Sequence, residues 1–352
     1  MTAPRRRITD LTRAEVRTFV EDHGQRSFRG DQVFEWVHGK GVYDPRDMSN
    51  LPRDLKDGFL DELDCSPPRV TWKTDQGSTT DKLFMQLDDG DGVEAVLINE
   101  GTRTTVCLSS QVGCPVACRF CASGLLGLRR NLTRGEILDQ FHEARRRSML
   151  DGRRITNVVM MGMGEPMLNY QPVVSALDVL NDPKGGGIGA RHLTISTIGL
   201  KKGVDKLKQE GKQYTLAFSL HAPDDLTRRD LIPFEGAMTV GEITEAARDY
   251  LEDTGREVTF EYVLLDGTNA TPRHARQLGD LLKGVRGTVN LIPYNENPGL
   301  DFGRPSPATV DRFADILRSR RVKVSVRKRK GNKILAACGQ LRLRERERRE
   351  EG

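Results

Sequence analysis

The sequence predicts an α/β fold: a partial barrel of six strand–helix units closed by one further strand, preceded by a small N-terminal helical unit. Three observations carry this. From residue 103 onward, apolar runs of strand length alternate with stretches of helical spacing. Ahead of that point the apolar period is helical to about residue 63 and then becomes strand-like. Turn residues punctuate the change, at Pro52, Pro67 and Pro68 and in Asp75-Gln76-Gly77 and Asp88-Asp89-Gly90.

In chain order, Thr9 or Asp10 is the expected cap of a first helix whose apolar positions are Leu11, Val16, Phe19 and Val20. A second helix holds Val33, Phe34, Trp36 and Val37, and a third runs through Leu55, Phe59 and Leu63. Strand-like segments follow at Val70 to Lys73, Lys82 to Leu87, Val93 to Ile98 and Thr104 to Leu108. The barrel strands are expected at 104–109, 155–161, 192–197, 214–220, 257–265, 287–293 and 322–327. Helices are expected between them near 133–148, 170–181, 200–209, 239–253, 271–284 and 307–320. This divides the chain into a helical unit at 1–68, a linking β segment at 69–102, a barrel at 103–333 and a C-terminal segment at 334–352. In such barrels functional groups come from loops at the carboxyl ends of the strands.

The chain is 352 residues long, 37% hydrophobic and 30% charged, with a net charge of +5. These values describe a soluble globular protein, and no apolar run is long enough to span a membrane. The basic N-terminus, Met1 to Arg7, has no apolar core behind it, so the expected location is the cytoplasm. Positive charge is concentrated. Between Arg318 and Lys333 stand Arg320, Arg321, Lys323, Arg327, Lys328, Arg329 and Lys330 with no acid among them. A solvated face is the plain reading of a short basic cluster; a run of this length fits a polyanion such as nucleic acid better.

Half of the six cysteines, Cys114, Cys118 and Cys121, lie within eight residues, directly after the first barrel strand. Spacings of four and three bring three sulfurs to one face of a tight turn, suited to a metal centre. Either a fourth ligand lies elsewhere, as in a structural zinc site, or one metal position stays open for a substrate or cofactor. The other cysteines, Cys65, Cys107 and Cys338, are isolated. Cys65 reads as structural, and strand packing or plain burial is the simple account of Cys107 and Cys338. The run Lys184-Gly185-Gly186-Gly187-Ile188-Gly189 lacks the Gly-Lys-Ser/Thr ending of a phosphate loop and reads as a connection.

The pattern Cys114-x-x-x-Cys118-x-Phe120-Cys121 resembles the radical S-adenosylmethionine superfamily. Further motifs narrow the resemblance: Ser109-Ser110-Gln111-Val112-Gly113-Cys114, Met160 to Pro166, Ser219-Leu220-His221-Ala222, Asn290 to Asn295, and Ala336 to Leu341. Together, and in this order, they are similar to the RlmN family, whose members methylate C2 of an adenosine in 23S rRNA and in certain tRNAs. The resemblance implies a partial (β/α)6 radical-SAM barrel and an N-terminal accessory domain that binds RNA. It implies a [4Fe-4S] cluster on Cys114, Cys118 and Cys121, and S-adenosylmethionine held at Gly164, Glu165, Ser196, Ser219, Leu220, His221 and Asn295. Partners implied are 23S rRNA, tRNA and a flavodoxin- or ferredoxin-type electron donor, with the enzyme acting as a monomer.

The resemblance also implies a two-stage chemistry. Cys338 takes a methyl group by displacement. A radical formed from a second S-adenosylmethionine activates that methyl for addition to the electron-poor C2 of adenine. Cys107 then attacks the sulfur of Cys338, releasing methylated RNA and leaving a transient disulfide. Glu94, thirteen residues before Cys107 on an expected strand, is the expected base for the C2 proton; Glu100 stands nearby, and the alternation around Val93, Val96 and Ile98 is too loose to separate the two by facing. The rival readings are a Cfr-type enzyme that methylates C8 of the same adenosine, and a zinc-stabilised RNA-binding protein without catalysis. The form Gly-Glu-Pro-Met-Leu-Asn at 164–169 looks more like the C2 enzymes.

Overall fold

The computed structural model describes residues 5–75, 79–297, 299–327 and 339–341. Cys338, the basic residues 328–333, the Gly331-Asn332 pair and most of the charged tail lie outside the described residues.

The N-terminal unit contains helices α1 (Arg13–Asp22), α2 (Phe28–Phe34, continuing into a wider turn at Glu35–Lys40) and α3 (Arg53–Glu62). Val16, Val20, Val33, Leu55 and Phe59 close a small core of their own. Sequence placed the first cap at Thr9 or Asp10, but the cap is Thr12. Its hydroxyl accepts from Glu15 N–H, and the Glu15 carboxylate accepts from Thr12 N–H, a reciprocal pair that neither earlier residue can make. Asp10 serves a different helix. Its carboxylate accepts from Gly135 N–H at 2.6 Å and from the Thr133 hydroxyl at 3.1 Å, across 125 and 123 residues of chain.

Four strands then run antiparallel in order: β1 (Arg69–Thr74), β2 (Thr80–Gln86), β3 (Gly92–Glu100) and β4 (Arg103–Cys107). A short hairpin, β5 (Gln111–Gly113) with β6 (Leu128–Asn131), interrupts the sheet. The chain continues as α4 (Arg134–Leu150), β7 (Asn157–Met160), α5 (Tyr170–Asn181), β8 (Leu193–Thr197), α6 (Lys201–Gln209) and β9 (Thr215–Ser219). After α7 (Asp225–Leu231) and α8 (Val240–Thr254) come β10 (Val258–Leu264), α9 (Pro272–Leu281), β11 (Gly287–Pro293), α10 (Pro307–Ser319) and β12 (Lys323–Val326).

All but the hairpin form one sheet, in the order β1-β2-β3-β4-β7-β8-β9-β10-β11-β12, parallel from β4 onward. This is the expected set of six strand–helix units plus a closing strand, and the sheet stays open. Parallel strands need crossovers, and the helices supply them while burying the apolar side chains of the sheet. The 3.6-residue pattern identified the crossover helices, which start from caps such as Thr133, Thr239 and Ser306. The hairpin around the cysteine loop and helix α7 were not expected; both are too short to show a period.

The helical unit is attached to the barrel through buried polar contacts. Arg7 donates to Asp139 of α4 and to Asp64, each at 2.9 Å. Nearby, His38 and His142 are fully enclosed, and burial with neighbouring arginines holds both well below the usual histidine pKa. Both rings therefore stay neutral in the folded chain, whereas in the unfolded chain each takes up a proton near its ordinary pKa of about 6.5. Their contribution to stability is intact above that pH and is lost as pH falls below it. The expected loss is at most about 1.4 kcal/mol per pH unit for each ring. Urea midpoints measured from pH 7.5 to 5 should fall for the parent chain and fall less for His38→Phe. Equal slopes would refute the assignment.

Candidate active site

The carboxyl ends of the parallel strands are knitted together before any cofactor is considered. Ser109 N–H donates to Gln140 Oε1 at 2.9 Å, and the Ser109 hydroxyl donates to the Glu94 carbonyl at 2.6 Å while accepting from Met163 N–H at 2.8 Å. Gln111 Oε1 accepts from Glu165 N–H at 2.9 Å, and Asn169 donates to the Ser110 and Leu132 carbonyls, both at 2.8 Å. The serines, the glutamine and the Gly-Glu-Pro-Met-Leu-Asn run thus form one lock that joins the exits of β4 and β7. Gly164 sits inside it at φ +99°, and a Cβ there would fall 2.6 Å from the Gln111 Cβ.

The cysteine loop hangs from this lock. Gly113 (φ +78°) lets the hairpin close, since a Cβ would meet the Gly127 carbonyl. Cys114 N–H donates to Gly127 O at 2.9 Å, Cys121 N–H to Cys118 O at 3.0 Å and Ala122 N–H to Gly339 O at 2.8 Å. The three cysteines pack on an apolar wall that includes Val116, Phe120, Ile198, Leu231 and Val263. Burial pushes the Cys114 thiol up to about 12 and the Cys118 thiol well above its ordinary value. Thiolates in this setting need a cationic centre to hold them, which suits an iron–sulfur cluster. Among the described residues, no three His, Cys, Asp or Glu converge on one point for a single bare ion. A cluster takes its thiolates on separate irons and asks for no such convergence.

A pocket of about 160 Å³ is lined by all three cysteines and by Gly164, Glu165, Ser196, Ser219, His221 and Asn295. Six of the seven expected S-adenosylmethionine contacts therefore share one wall. The exception is Leu220, whose side chain packs in the main core, whose N–H donates to the Glu261 carbonyl and whose carbonyl is bonded by Arg228. Alternation along the chain turns it away from its neighbours on either side.

Each wall residue is oriented by its surroundings. Both oxygens of Glu165 accept backbone N–H groups, from Met167 at 3.0 Å and Ile198 at 2.9 Å, and burial raises its pKa to about 7. His221 Nδ1 accepts from Val263 N–H at 3.0 Å, so the neutral ring carries its proton on Nε2; burial lowers its pKa to about 3. Ser196 and Ser219 hydroxyls meet at 3.4 Å. Asn295 Oδ1 accepts from Arg304 at 3.3 Å.

A second cavity of about 520 Å³ adjoins the first, sharing Cys121, Met161, Asn295, Arg327 and Gly339 in its walls. Cys107 lines it, at the end of β4, and so does Gly339, the residue that follows Cys338 in the chain. Gly339 is pinned there because its carbonyl accepts from Ala122 N–H and from Asn297 at 3.2 Å. Glu94 and Glu100 share one face of β3 by parity, but their places differ. Glu100 lines the cavity at the far end of the strand, opposite Arg103. Glu94 lies two residues beyond Val96, the partner of Cys107 in the ladder, and is buried in an ion pair with Lys82 at 2.6 Å. It is not in the cavity wall.

Three residues escaped the sequence reading. Arg228 is buried at the back of the pocket, and Lys82 holds Glu94. Glu261 lines the pocket with one carboxylate oxygen on Asn290 at 2.8 Å; its other oxygen has no partner among the described residues. An acid in the apolar strand Val258–Leu264 was the available signal. The basic run also looks different in space. Arg318, Arg320 and Lys323 are ion-paired with Asp315 of the same helix, Asp280 and Glu257, so these three charges are partly neutralised within the fold.

Comparisons with known proteins identify the family. The family model of the ribosomal RNA large subunit methyltransferase N-terminal domain matches residues 7–62, and that of the radical SAM superfamily matches residues 108–277. A protein of Symbiobacterium thermophilum described as a probable dual-specificity RNA methyltransferase RlmN is 44% identical over 97% of this chain and 92% of its own length. The dual-specificity RNA methyltransferase RlmN of Anaeromyxobacter dehalogenans is 40% identical over 95% of this chain and 91% of its own. The crystal structure of a radical SAM methyltransferase from Sphaerobacter thermophilus superposes with a TM-score of 0.91 at 43% identity, covering 96% of this chain and 99% of that one.

Gly164→Ala tests the lock. Forcing a side chain into this left-handed position should cost about 1–3 kcal/mol and displace Gln111. Thermal melting should drop, and S-adenosylmethionine affinity measured by equilibrium dialysis should drop with it. A variant that melts and binds like the parent would refute the requirement.

Proposed function

The chain belongs to the RlmN family, and from that premise we propose that it methylates C2 of an adenosine in 23S rRNA and in certain tRNAs by way of a methyl group carried on Cys338. One observation carries the reading: Cys107 and Gly339, the neighbour of Cys338, line a single cavity that shares part of its wall with the three-cysteine pocket. The resolving cysteine and the chain that bears the methyl carrier thus approach one space beside the radical site.

Cys114, Cys118 and Cys121 hold one [4Fe-4S] cluster per chain, and the pocket wall at Gly164, Glu165, Ser196, Ser219, His221 and Asn295 encloses S-adenosylmethionine. Together these groups supply a carbon radical, the reactivity needed at an adenine C2 that is too electron-poor to act as a nucleophile. Cys338 acts as the thiolate acceptor of the methyl group. Glu94, ion-paired with Lys82 behind the cavity wall, takes the C2 proton through an intervening water. Once the odd-electron adduct has given up one electron to an oxidised one-electron acceptor of the low-potential chain, the Cys107 thiolate attacks the Cys338 sulfur. The C–S bonding pair leaves with the RNA-bound carbon, which takes up a proton to become the methyl group, and the disulfide is returned to two thiols by a cellular dithiol.

The cavity of about 520 Å³ suits a single base removed from its stack, which favours loops over duplex RNA. Residues 318–333 supply positive charge for the phosphates, and the N-terminal helical unit serves as the accessory RNA-binding surface. A flavodoxin- or ferredoxin-type donor reduces the cluster, and the enzyme works as a cytoplasmic monomer.

The reading is tested by incubating anaerobically reconstituted protein with unmodified 23S rRNA or tRNA and methyl-labelled S-adenosylmethionine, followed by nucleoside analysis. Label is expected in 2-methyladenosine. Label at C8 would mark the Cfr-type reaction instead, and no label in RNA would refute the assignment. Cys338→Ala should carry no methyl group and modify no RNA. Cys107→Ala should accumulate a covalent protein–RNA adduct, and recovery of only free unmodified RNA from it would contradict the release role.

A further inference from the structure

Arg228 is only 3% exposed, yet its hydrogen bonds all go to backbone carbonyls. Nη1 donates to Ser219 O and Leu220 O, each at 2.6 Å, Nε donates to Met238 O at 3.1 Å and Nη2 donates to Ile198 O. Carbonyl oxygens satisfy the donors but leave the positive charge in place. A buried guanidinium without a paired carboxylate is costly, and burial lowers its pKa only to about 10, so it remains charged at neutral pH.

Its location gives that charge a use. Three of the four carbonyls it gathers lie at the exits of β8 and β9, two residues past Ser196 and within the Ser219–His221 turn. Helix α7, which carries it, is fastened to the cysteine loop: Arg119 N–H donates to Leu231 O at 3.0 Å, and the Arg119 side chain pairs with Asp230. Ile198, Leu231 and Ile232 belong to the apolar cluster against which the cysteines pack. Burial pushes the Glu165 carboxyl up, and the positive charge of Arg228 counters that effect in part.

We propose that Arg228 is a positioning residue with two effects: its planar fork fixes the β8 and β9 exits as one wall of the S-adenosylmethionine pocket, and its buried charge, which makes no direct ion pair among the described residues, raises the reduction potential of a cluster held by Cys114, Cys118 and Cys121. This rests on the reading that those cysteines bind the cluster. Reduction adds one electron, from a low-potential one-electron donor, to a thiolate-ligated centre that is already anionic; no bond is made or broken. A nearby buried cation stabilises the reduced form more than the oxidised one. Lysine would keep the charge but lose the fork, and glutamine or methionine would lose both.

The experiment is an anaerobic redox titration of the reconstituted full-length chain, followed by electron paramagnetic resonance, with S-adenosylmethionine binding measured on the same samples. Arg228→Gln should shift the midpoint to more negative potential, with Arg228→Met as the alternative neutral variant should the glutamine form not fold. Arg228→Lys should keep a midpoint near that of the parent. All of these variants should bind S-adenosylmethionine about 10–100-fold more weakly. A neutral variant with full cluster content and an unmoved midpoint would overturn the electrostatic effect, as would a lysine variant shifted as far as the neutral ones. Parent-like affinity in Arg228→Lys would overturn the clamp. A parent chain that takes up no iron and sulfide sinks the functional reading itself, and elemental analysis separates that outcome from the others.

Discussion

The hydrogen-bonded lock between the exits of β4 and β7 is the constraint on which the site depends. Ser109 bonds β3, α4 and the β7 exit at once, and Gln111 reaches Glu165. The cysteine hairpin begins at Gln111, so its position is inherited from the lock rather than set by the cysteines. Glu165 passes the constraint on by accepting from Ile198, and Arg228 continues it by joining Ile198 to Ser219 and Leu220. A chain of buried polar contacts thus runs along the strand ends from β3 to β9.

Such a chain is expensive. Glu165, Arg228 and Glu261 are ionisable groups deep in the protein, and each is held chiefly by hydrogen bonds rather than by a direct ion pair. Removing one partner leaves an unsatisfied group in a low-dielectric setting. The apolar layers beneath, from Val106, Leu216, Phe218 and Phe260, carry the stability that permits this. The division matches a parallel sheet: the middle of each strand is packed, and the carboxyl end is polar and functional.

The strands and crossover helices were legible because each obeys a period. Tyr170–Asn181 and Gly287–Pro293 fall at their expected bounds. The cysteine trio and its motifs were legible as chemistry, and the structure brings six of seven expected cofactor contacts to one pocket wall. What could not be read depends on side-chain reach across the fold. Asp10 capping α4, Lys82 holding Glu94 and Arg228 gathering four carbonyls leave no pattern along the chain. Helix α7 is seven residues long, too short for an amphipathic signature. The pairing of Arg318, Arg320 and Lys323 with distant or flanking acids was hidden for a related reason, because charge runs are read in sequence but neutralised in space.

The central claim is that three cysteines hold a cluster with one position open to S-adenosylmethionine. Its most direct test is electron paramagnetic resonance of the anaerobically reconstituted, reduced protein before and after S-adenosylmethionine is added. The account predicts iron and inorganic sulfide in equal amounts and a spectrum that changes on addition. Bound zinc without sulfide, or a cluster spectrum that S-adenosylmethionine leaves unaltered, would contradict it.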